Sequence, residues 1–135
     1  MMNYFAVGLA GVIGALLRYY LGLSFHHWWI SPLPLGTLMI NYIGAFVLAW
    51  FNEKVAHTYS VPDWLRLGFG TGLVGSFTTF STLSVETVTL IRLQLWGIAF
   101  SYVLLSLFGG LFFAYAGYRM GNLGLKQGEK EVETA

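Results

Sequence analysis

The densest run of side chains that could bind an ion lies between residues 68 and 87. Four glycines are followed there by seven serine and threonine residues, inside a long and mainly apolar segment. Glycine and β-branched threonine both weaken a helix, whereas every backbone group inside lipid must find a partner. The sequence therefore predicts a helix that is broken between Gly75 and Thr79, in the protein interior. Such a break can serve ion binding, since freed carbonyls can bind a cation and the start of the next half-helix favours an anion. A continuous helix whose hydroxyl groups bond their own turn is the alternative.

A second polar group lies in an earlier apolar segment. Thr37, Asn41 and Gly44 follow a helical spacing, so they share one face. The Asn41 side chain offers two N–H donors and one carbonyl acceptor, and burying it without a partner costs several kcal/mol. Asn41 is therefore predicted either to bond another helix or to line a water-filled ion path.

Two charged residues and one polar stripe complete the candidates. Arg18 lies inside an apolar segment, where a charge costs roughly 2.5–3.5 kcal/mol, so it has either a functional partner or a position near the membrane surface. Glu86 is the only acidic residue well inside such a segment, although it could also be an interfacial carboxylate. Tyr102, Ser106 and Gly110 form a stripe at i, i+4 and i+8 of a helix. The stripe is predicted either to line a narrow ion path or to take part in ordinary helix packing with Tyr102 at the membrane interface.

These residues lie in four segments that are long enough to cross a membrane, which takes about 20 mainly apolar residues. Their approximate bounds are residues 3–23, 35–51, 65–91 and 95–118. They lack the apolar/polar alternation of barrel strands, and all five tryptophans lie near their ends, as in an interfacial belt. We predict an all-α membrane domain over residues 1–121 and a polar, disordered tail over residues 122–135.

The composition of the 135-residue chain supports the membrane assignment. Apolar residues make up 56% and charged residues only 10%, too few for a water-exposed surface. The net charge of +1 from scattered basic residues argues against a nucleic-acid partner. There is no cysteine, and the three histidines are predicted in loops without carboxylates at catalytic or metal-binding spacing. We therefore predict that the chain is not an enzyme.

The segment GSFTTFST at residues 75–82 resembles a signature of the fluoride channel family called Fluc or CrcB. Two further segments agree with it, GVIGALLRY at residues 11–19 and GTLMINYIG at residues 36–44. The resemblance covers all four predicted spans and leaves out the tail. It implies an antiparallel, dual-topology dimer of four-helix subunits in the plasma membrane, surrounded by lipid, with two fluoride pores and a sodium ion at its centre.

The resemblance also implies roles for single residues. Gly75 and Thr78 would give backbone carbonyls to the sodium ion, Asn41 would donate a hydrogen bond to fluoride, and Phe80 would turn its ring edge toward the ion. The other pore residues would be Thr37, Tyr102 and Ser106 in the lining, Ser81 and Thr82 in a polar track, and Glu86 near a pore mouth. Arg18 matches the family's arginine near the end of the first helix.

One position departs from the family pattern. Leu83 stands where a second phenylalanine is expected, so one aromatic station is lost or displaced. A homodimer of inverted subunits needs a chain that inserts both ways, whereas the basic residues favour one orientation. The second subunit is therefore expected to be either identical or a related chain. The alternative function is a small multidrug-resistance-type proton-coupled exporter, which needs a carboxylate in its first helix, where this chain has only Arg18.

Overall fold

The computed structural model describes the backbone of residues 1–28, 31–55 and 61–133, and the side chains of residues 1–25, 31–55 and 61–123. Within these ranges the regular structure is helical throughout. The α-helices are α1 (Met2–Trp28), α2 (Leu35–Trp50), α3 (Asp63–Leu67), α4 (Gly75–Phe77), α5 (Phe80–Arg92) and α6 (Trp96–Glu133). A π-helical turn, Phe51–Val55, continues α2, and a π-helical segment, Gly68–Val74, joins α3 to α4.

Three described segments are long and apolar enough to cross a membrane: Met2–Phe25, Leu35–Val55 and Trp96–Leu123. They correspond to the first, second and fourth predicted spans. The third predicted span is not among them because its helix stops at Phe77 and starts again at Phe80. The interruption falls inside the predicted interval.

The interruption consists of two extended residues. Thr78 has φ −76° and ψ 159°, and Thr79 has φ −149° and ψ 124°. Thr79 is the N-cap of α5, since its side chain accepts a hydrogen bond from the Thr82 N–H, which is the usual role of threonine at a helix start. The local sequence thus supplies both the break and the start of the second half-helix.

The alternative, a continuous helix, is wrong, because the helix is interrupted at Thr78 and Thr79. Beyond the break, however, three hydroxyl groups do bond their own turn. The hydroxyl groups of Ser84, Thr87 and Thr89 each donate to a backbone carbonyl four residues earlier. Such bonds satisfy a hydroxyl inside a helix without needing another element. The hydroxyl-rich segment therefore has two parts. Near residue 79 the helix is interrupted, and after it the hydroxyl groups form their hydrogen bonds within α5 itself.

Close backbone contacts pack the helices around this break. A Cβ atom at Gly14 would collide with the Leu73 carbonyl, so α1 can approach the π-helical segment only because residue 14 is glycine. By contrast, Gly8 has open space around its Cβ position. Of these two glycines of α1, Gly14 therefore permits a close backbone contact and Gly8 does not.

A similar contact joins α2 to α6. The Tyr42 hydroxyl donates to the Leu105 carbonyl, the Tyr42 ring stacks on Phe113 with centroids 4.9 Å apart, and a Cβ at Gly109 would overlap the Tyr42 ring. We expect Gly109→Ala to lower the stability by about 1–3 kcal/mol through overpacking. Thermal unfolding in detergent measures this effect.

The next residue along α6 gives a matched control for that prediction. A Cβ at Gly110 would meet nothing within 4 Å, so Gly110→Ala changes the same helix by the same methyl group without a collision. The gain in helix propensity is the same for both variants and cancels in their difference. Equal melting temperatures for the two variants would contradict the close contact at Gly109.

Two helix ends differ from the predicted ones. α1 continues to Trp28 instead of ending near Leu23, so the prediction that His26 and His27 lie in a loop is wrong. His57, the third predicted loop histidine, and Trp29 lie outside the described residues. α6 continues to Glu133, through leucine, lysine, glutamine and glutamate residues that favour helix. The boundary of the membrane domain at residue 121 stays a prediction.

Candidate ion site at the interrupted helix

The side chain of Asn41 bridges α2 to the break. Its Nδ2 donates to the Thr79 carbonyl at 3.0 Å, and its Oδ1 accepts from the Thr79 N–H at 2.8 Å. Because the backbone partners can only accept and donate respectively, the orientation of the amide is fixed. The interhelical role of Asn41 is therefore observed. Its role toward an ion stays a prediction, for which the amide has one further Nδ2 hydrogen that bonds no described residue.

This bridge and the N-cap divert two hydrogen bonds from the backbone. In an unbroken helix the Thr79 N–H would bond the Gly75 carbonyl, but it bonds Asn41 Oδ1 instead. The Thr82 N–H would bond the Thr78 carbonyl, but it bonds Thr79 Oγ1 at 3.2 Å. The carbonyls of Gly75 and Thr78 thereby lose their helical donors and become available as ligands.

Oxygen atoms of this kind suit a hard cation. Among the residues whose side chains are described, no group of three or more His, Asp or Glu residues could hold a metal ion. The oxygen atoms that have lost their helical donors at the break are backbone carbonyls. Gly75 and Thr78 fit the sodium role that the resemblance implies.

The Thr79 hydroxyl is the centre of a small polar cluster at the start of α5. Thr79 Oγ1 lies 3.0 Å from Thr82 Oγ1 and 3.2 Å from Ser81 Oγ. Thr79 itself is only 8% exposed, whereas Ser81 and Thr82 are exposed. The structure therefore brings the two residues of the predicted polar track beside the helix break.

Glu86 joins three helices. The Thr37 hydroxyl donates to Glu86 Oε1 at 3.0 Å from α2, and the Tyr102 hydroxyl donates to Glu86 Oε2 at 2.5 Å from α6. Tyr102 is completely buried. The Glu86 carboxylate thus accepts the hydroxyl hydrogens of two predicted pore residues, Thr37 and Tyr102. Either hydroxyl group could donate to a passing anion only after breaking its bond to Glu86.

A cavity of about 770 Å³ opens beside these groups. Five of the predicted site residues line it: Arg18, Thr37, Ser81, Thr82 and Glu86. Thr79, which was not predicted as a site residue, lines it as well. Arg18 is half-buried and forms no ion pair with another described side chain. The cavity thus holds one basic and one acidic side chain, Arg18 and Glu86, beside the hydroxyl groups of Ser81 and Thr82.

Seven predicted site residues do not line this cavity. Four of them, Asn41, Gly75, Thr78 and Tyr102, take part in the contacts described above, and the other three lie elsewhere. Phe80 is 79% exposed on the outside of the chain. Leu83 packs against the buried cluster that contains Leu38 and Tyr102. Ser106 Oγ is buried and has no hydrogen-bond partner among the described residues. Their pore roles stay predictions.

Tyr42, the residue that follows the bridging asparagine, was not among the predicted site residues. Its hydroxyl bond to Leu105 holds α2 against α6. A buried tyrosine hydroxyl normally finds a partner, so Tyr42 in an apolar segment was itself a signal for an interhelical bond. Sequence could not show which carbonyl accepts it.

Comparison with known proteins gives consistent matches along nearly the whole chain. The sequence model of the family described as CrcB-like protein, Camphor Resistance (CrcB), matches residues 5–118. A Bacillus anthracis protein named fluoride-specific ion channel FluC 1 is 52% identical over 124 residues, covering 92% of this chain and 90% of the relative. A Geobacillus kaustophilus protein named fluoride-specific ion channel FluC 2 is 48% identical, covering 94% and 98%. A Listeria monocytogenes protein with that same name is 38% identical, covering 97% and 99%.

Proposed function

The chain belongs to the CrcB family, and on that premise we propose that it is a fluoride-selective channel subunit that lowers cytoplasmic fluoride by passive efflux. The observation that carries the proposal is a sequence identity of 52% and 48%, over nearly the full length of the chain, to two relatives named as fluoride-specific ion channels. The family match includes the helix break and both residues that bridge it. The chain is a multi-pass protein of the plasma membrane.

The donors at the break suit fluoride. Fluoride is small and holds its water strongly, so a pore must replace that water with directional N–H and O–H groups. Asn41 has one Nδ2 hydrogen beyond the bridge to Thr79, and the hydroxyl cluster of Ser81 and Thr82 lies next to it. An exposed Phe80 ring can offer the positive edge of its quadrupole to an anion.

Sodium is proposed as a structural ion at the break. The carbonyls of Gly75 and Thr78 would hold it, since side chains have taken their helical donors. When bound, a cation offsets the electrostatic cost of an anion in a low-dielectric interior. No further chemistry is required of it.

The proposed assembly is an antiparallel, dual-topology dimer. In each subunit the interrupted segment over residues 63–92 crosses the membrane in addition to the three continuous spans. Support comes from the two freed carbonyls, which are too few to surround a cation and would be completed by those of a second subunit. Phe80 also lies exposed at the break, where a second subunit would enclose it. That second subunit is identical or related, and the other exposed apolar side chains contact lipid.

The competing exporter is not supported. Proton-coupled export of the small multidrug-resistance type needs a carboxylate in the first helix, but α1 contains no acidic residue. Glu86, the carboxylate nearest the cavity, lies in α5 and is bonded to Thr37 and Tyr102. The function of the family is ion conduction, which is not an enzymatic activity.

We predict strong selectivity for fluoride over chloride. Liposomes that contain the purified protein, sodium and potassium fluoride should lose fluoride when a potassium ionophore is added, because fixed N–H and O–H donors compensate for the lost water of a small ion. The same liposomes loaded with chloride should lose no more than protein-free liposomes. Comparable chloride efflux would overturn the proposal, and efflux that needs a proton gradient would favour the exporter.

A further inference from the structure

The peptide bond between Thr78 and Thr79 connects the two proposed ion sites. Its carbonyl end belongs to Thr78 and has lost its helical donor. Its N–H end belongs to Thr79 and donates to Asn41 Oδ1 at 2.8 Å. We infer that this peptide and the Asn41 amide couple the sites, so that sodium binding tightens fluoride binding and fluoride binding tightens sodium binding. The inference rests on the proposed function.

The coupling follows from the polarity of the chain of groups. The Thr78 carbonyl, when it holds a cation, draws electron density from its peptide, so the Thr79 N–H becomes a stronger donor. The Asn41 carbonyl then accepts a stronger bond, which draws density from Nδ2 and makes its hydrogens more positive. Successive hydrogen bonds in a chain strengthen one another in this way. Each step has the same sign, so a cation at one end favours an anion at the other.

The surroundings preserve this effect. Thr79 is only 8% exposed, and Asn41 is half-buried, so water screens the bonds little. The second bond of the bridge, from Asn41 Nδ2 to the Thr79 carbonyl at 3.0 Å, keeps the amide in register with the peptide. The amide therefore moves with the break, and no rearrangement is needed to pass the effect.

A coupling between two binding sites is reciprocal. We expect saturating sodium to lower the fluoride dissociation constant about fivefold or more, in the range usual for coupled sites. Fluoride should lower the sodium dissociation constant by the same factor. Lithium or N-methylglucamine in place of sodium should leave fluoride binding weak.

The first test measures both affinities without measuring flux. Purified protein in detergent is titrated with sodium at constant ionic strength, and its melting temperature is recorded with and without N-methylglucamine fluoride. The reverse titration varies fluoride at fixed sodium. NMR adds a local readout, because sodium should shift the Asn41 side-chain amide resonances and fluoride should shift the Thr79 N–H.

The second test removes the connecting donor. The α-hydroxy acid analogue of threonine at position 79 replaces the peptide N–H by an ester oxygen and leaves the side chain unchanged. Because the ester also weakens the Thr78 carbonyl as a ligand, the sodium affinity of the variant is measured first and sodium is then used at saturation. The same ester at position 89, within the continuous part of α5, is the matched control. Tyr42→Phe is a second control, because it deletes a hydrogen bond of α2 that is outside the connection.

The expected result is a fluoride affinity that depends on sodium in the wild type, the Thr89 ester and Tyr42→Phe, and that is independent of sodium in the Thr79 ester. Fluoride binding that ignores sodium in the wild type, although both ions bind, would overturn the coupling and leave the channel proposal intact. Coupling that survives in the Thr79 ester would also overturn it. A protein that binds and conducts no fluoride would overturn both.

Discussion

Asn41→Asp is expected to abolish fluoride efflux. Aspartate matches asparagine in shape and still accepts a bond from the Thr79 N–H, which Asn41 Oδ1 now accepts at 2.8 Å. It replaces Nδ2 by a second acceptor, 3.0 Å from the Thr79 carbonyl, and adds a negative charge where a donor is needed. Bringing like charges together costs several kcal/mol, and each 1.4 kcal/mol or so is tenfold in affinity. We therefore expect the initial rate to fall about a hundredfold or more.

The measurement is fluoride efflux from liposomes at matched protein content. Tyr42→Phe is the control, since it changes the neighbouring residue and deletes only the hydroxyl bond to Leu105. Its efflux should stay close to that of the wild type. Size-exclusion chromatography of both variants reports whether assembly is preserved. Normal efflux through Asn41→Asp would show that this residue only bridges α2 to the break.

Phe80→Ile is expected to abolish efflux as well, for a different reason. Phe80 is the first residue of α5 and follows the bridged Thr79 directly, yet it is 79% exposed on the single chain. Its ring is thus free to face an ion path that a second subunit completes. Isoleucine keeps most of the apolar volume but has no quadrupole whose edge could meet an anion. Phe100→Ile, at an exposed phenylalanine of α6, is the matched control and should conduct normally.

Leu83→Phe is the companion variant. It restores the aromatic residue that the family pattern has at this position, so efflux should be kept or raised. Leu83 packs against Leu38 and Tyr102, and the larger ring has to fit there at a stability cost of about 1–3 kcal/mol. Normal efflux through Phe80→Ile would instead show that the aromatic station is outside this chain's pore. The conducting surface would then come from a related partner subunit.

The helix break illustrates what could be predicted from the sequence. Glycine and threonine weaken a helix wherever they occur, so their concentration before Phe80 predicted an interruption that the structure places at Thr78 and Thr79. The apolar segments predicted the long helices in the same way, because hydropathy is a local property of the chain. Helix ends were less certain. α1 runs five residues beyond Leu23 because no proline or glycine stops it there.

The partners of the polar side chains were decided only by tertiary structure. The sequence showed that Asn41 needed a partner, but the packing of α2 beside the break made that partner Thr79. It showed that Glu86 was unusual, but the approach of α2 and α6 gave it Thr37 and Tyr102. Composition and periodicity state which groups must be satisfied inside a membrane. Which donor meets which acceptor depends on contacts between residues that are 16 to 63 positions apart in the chain.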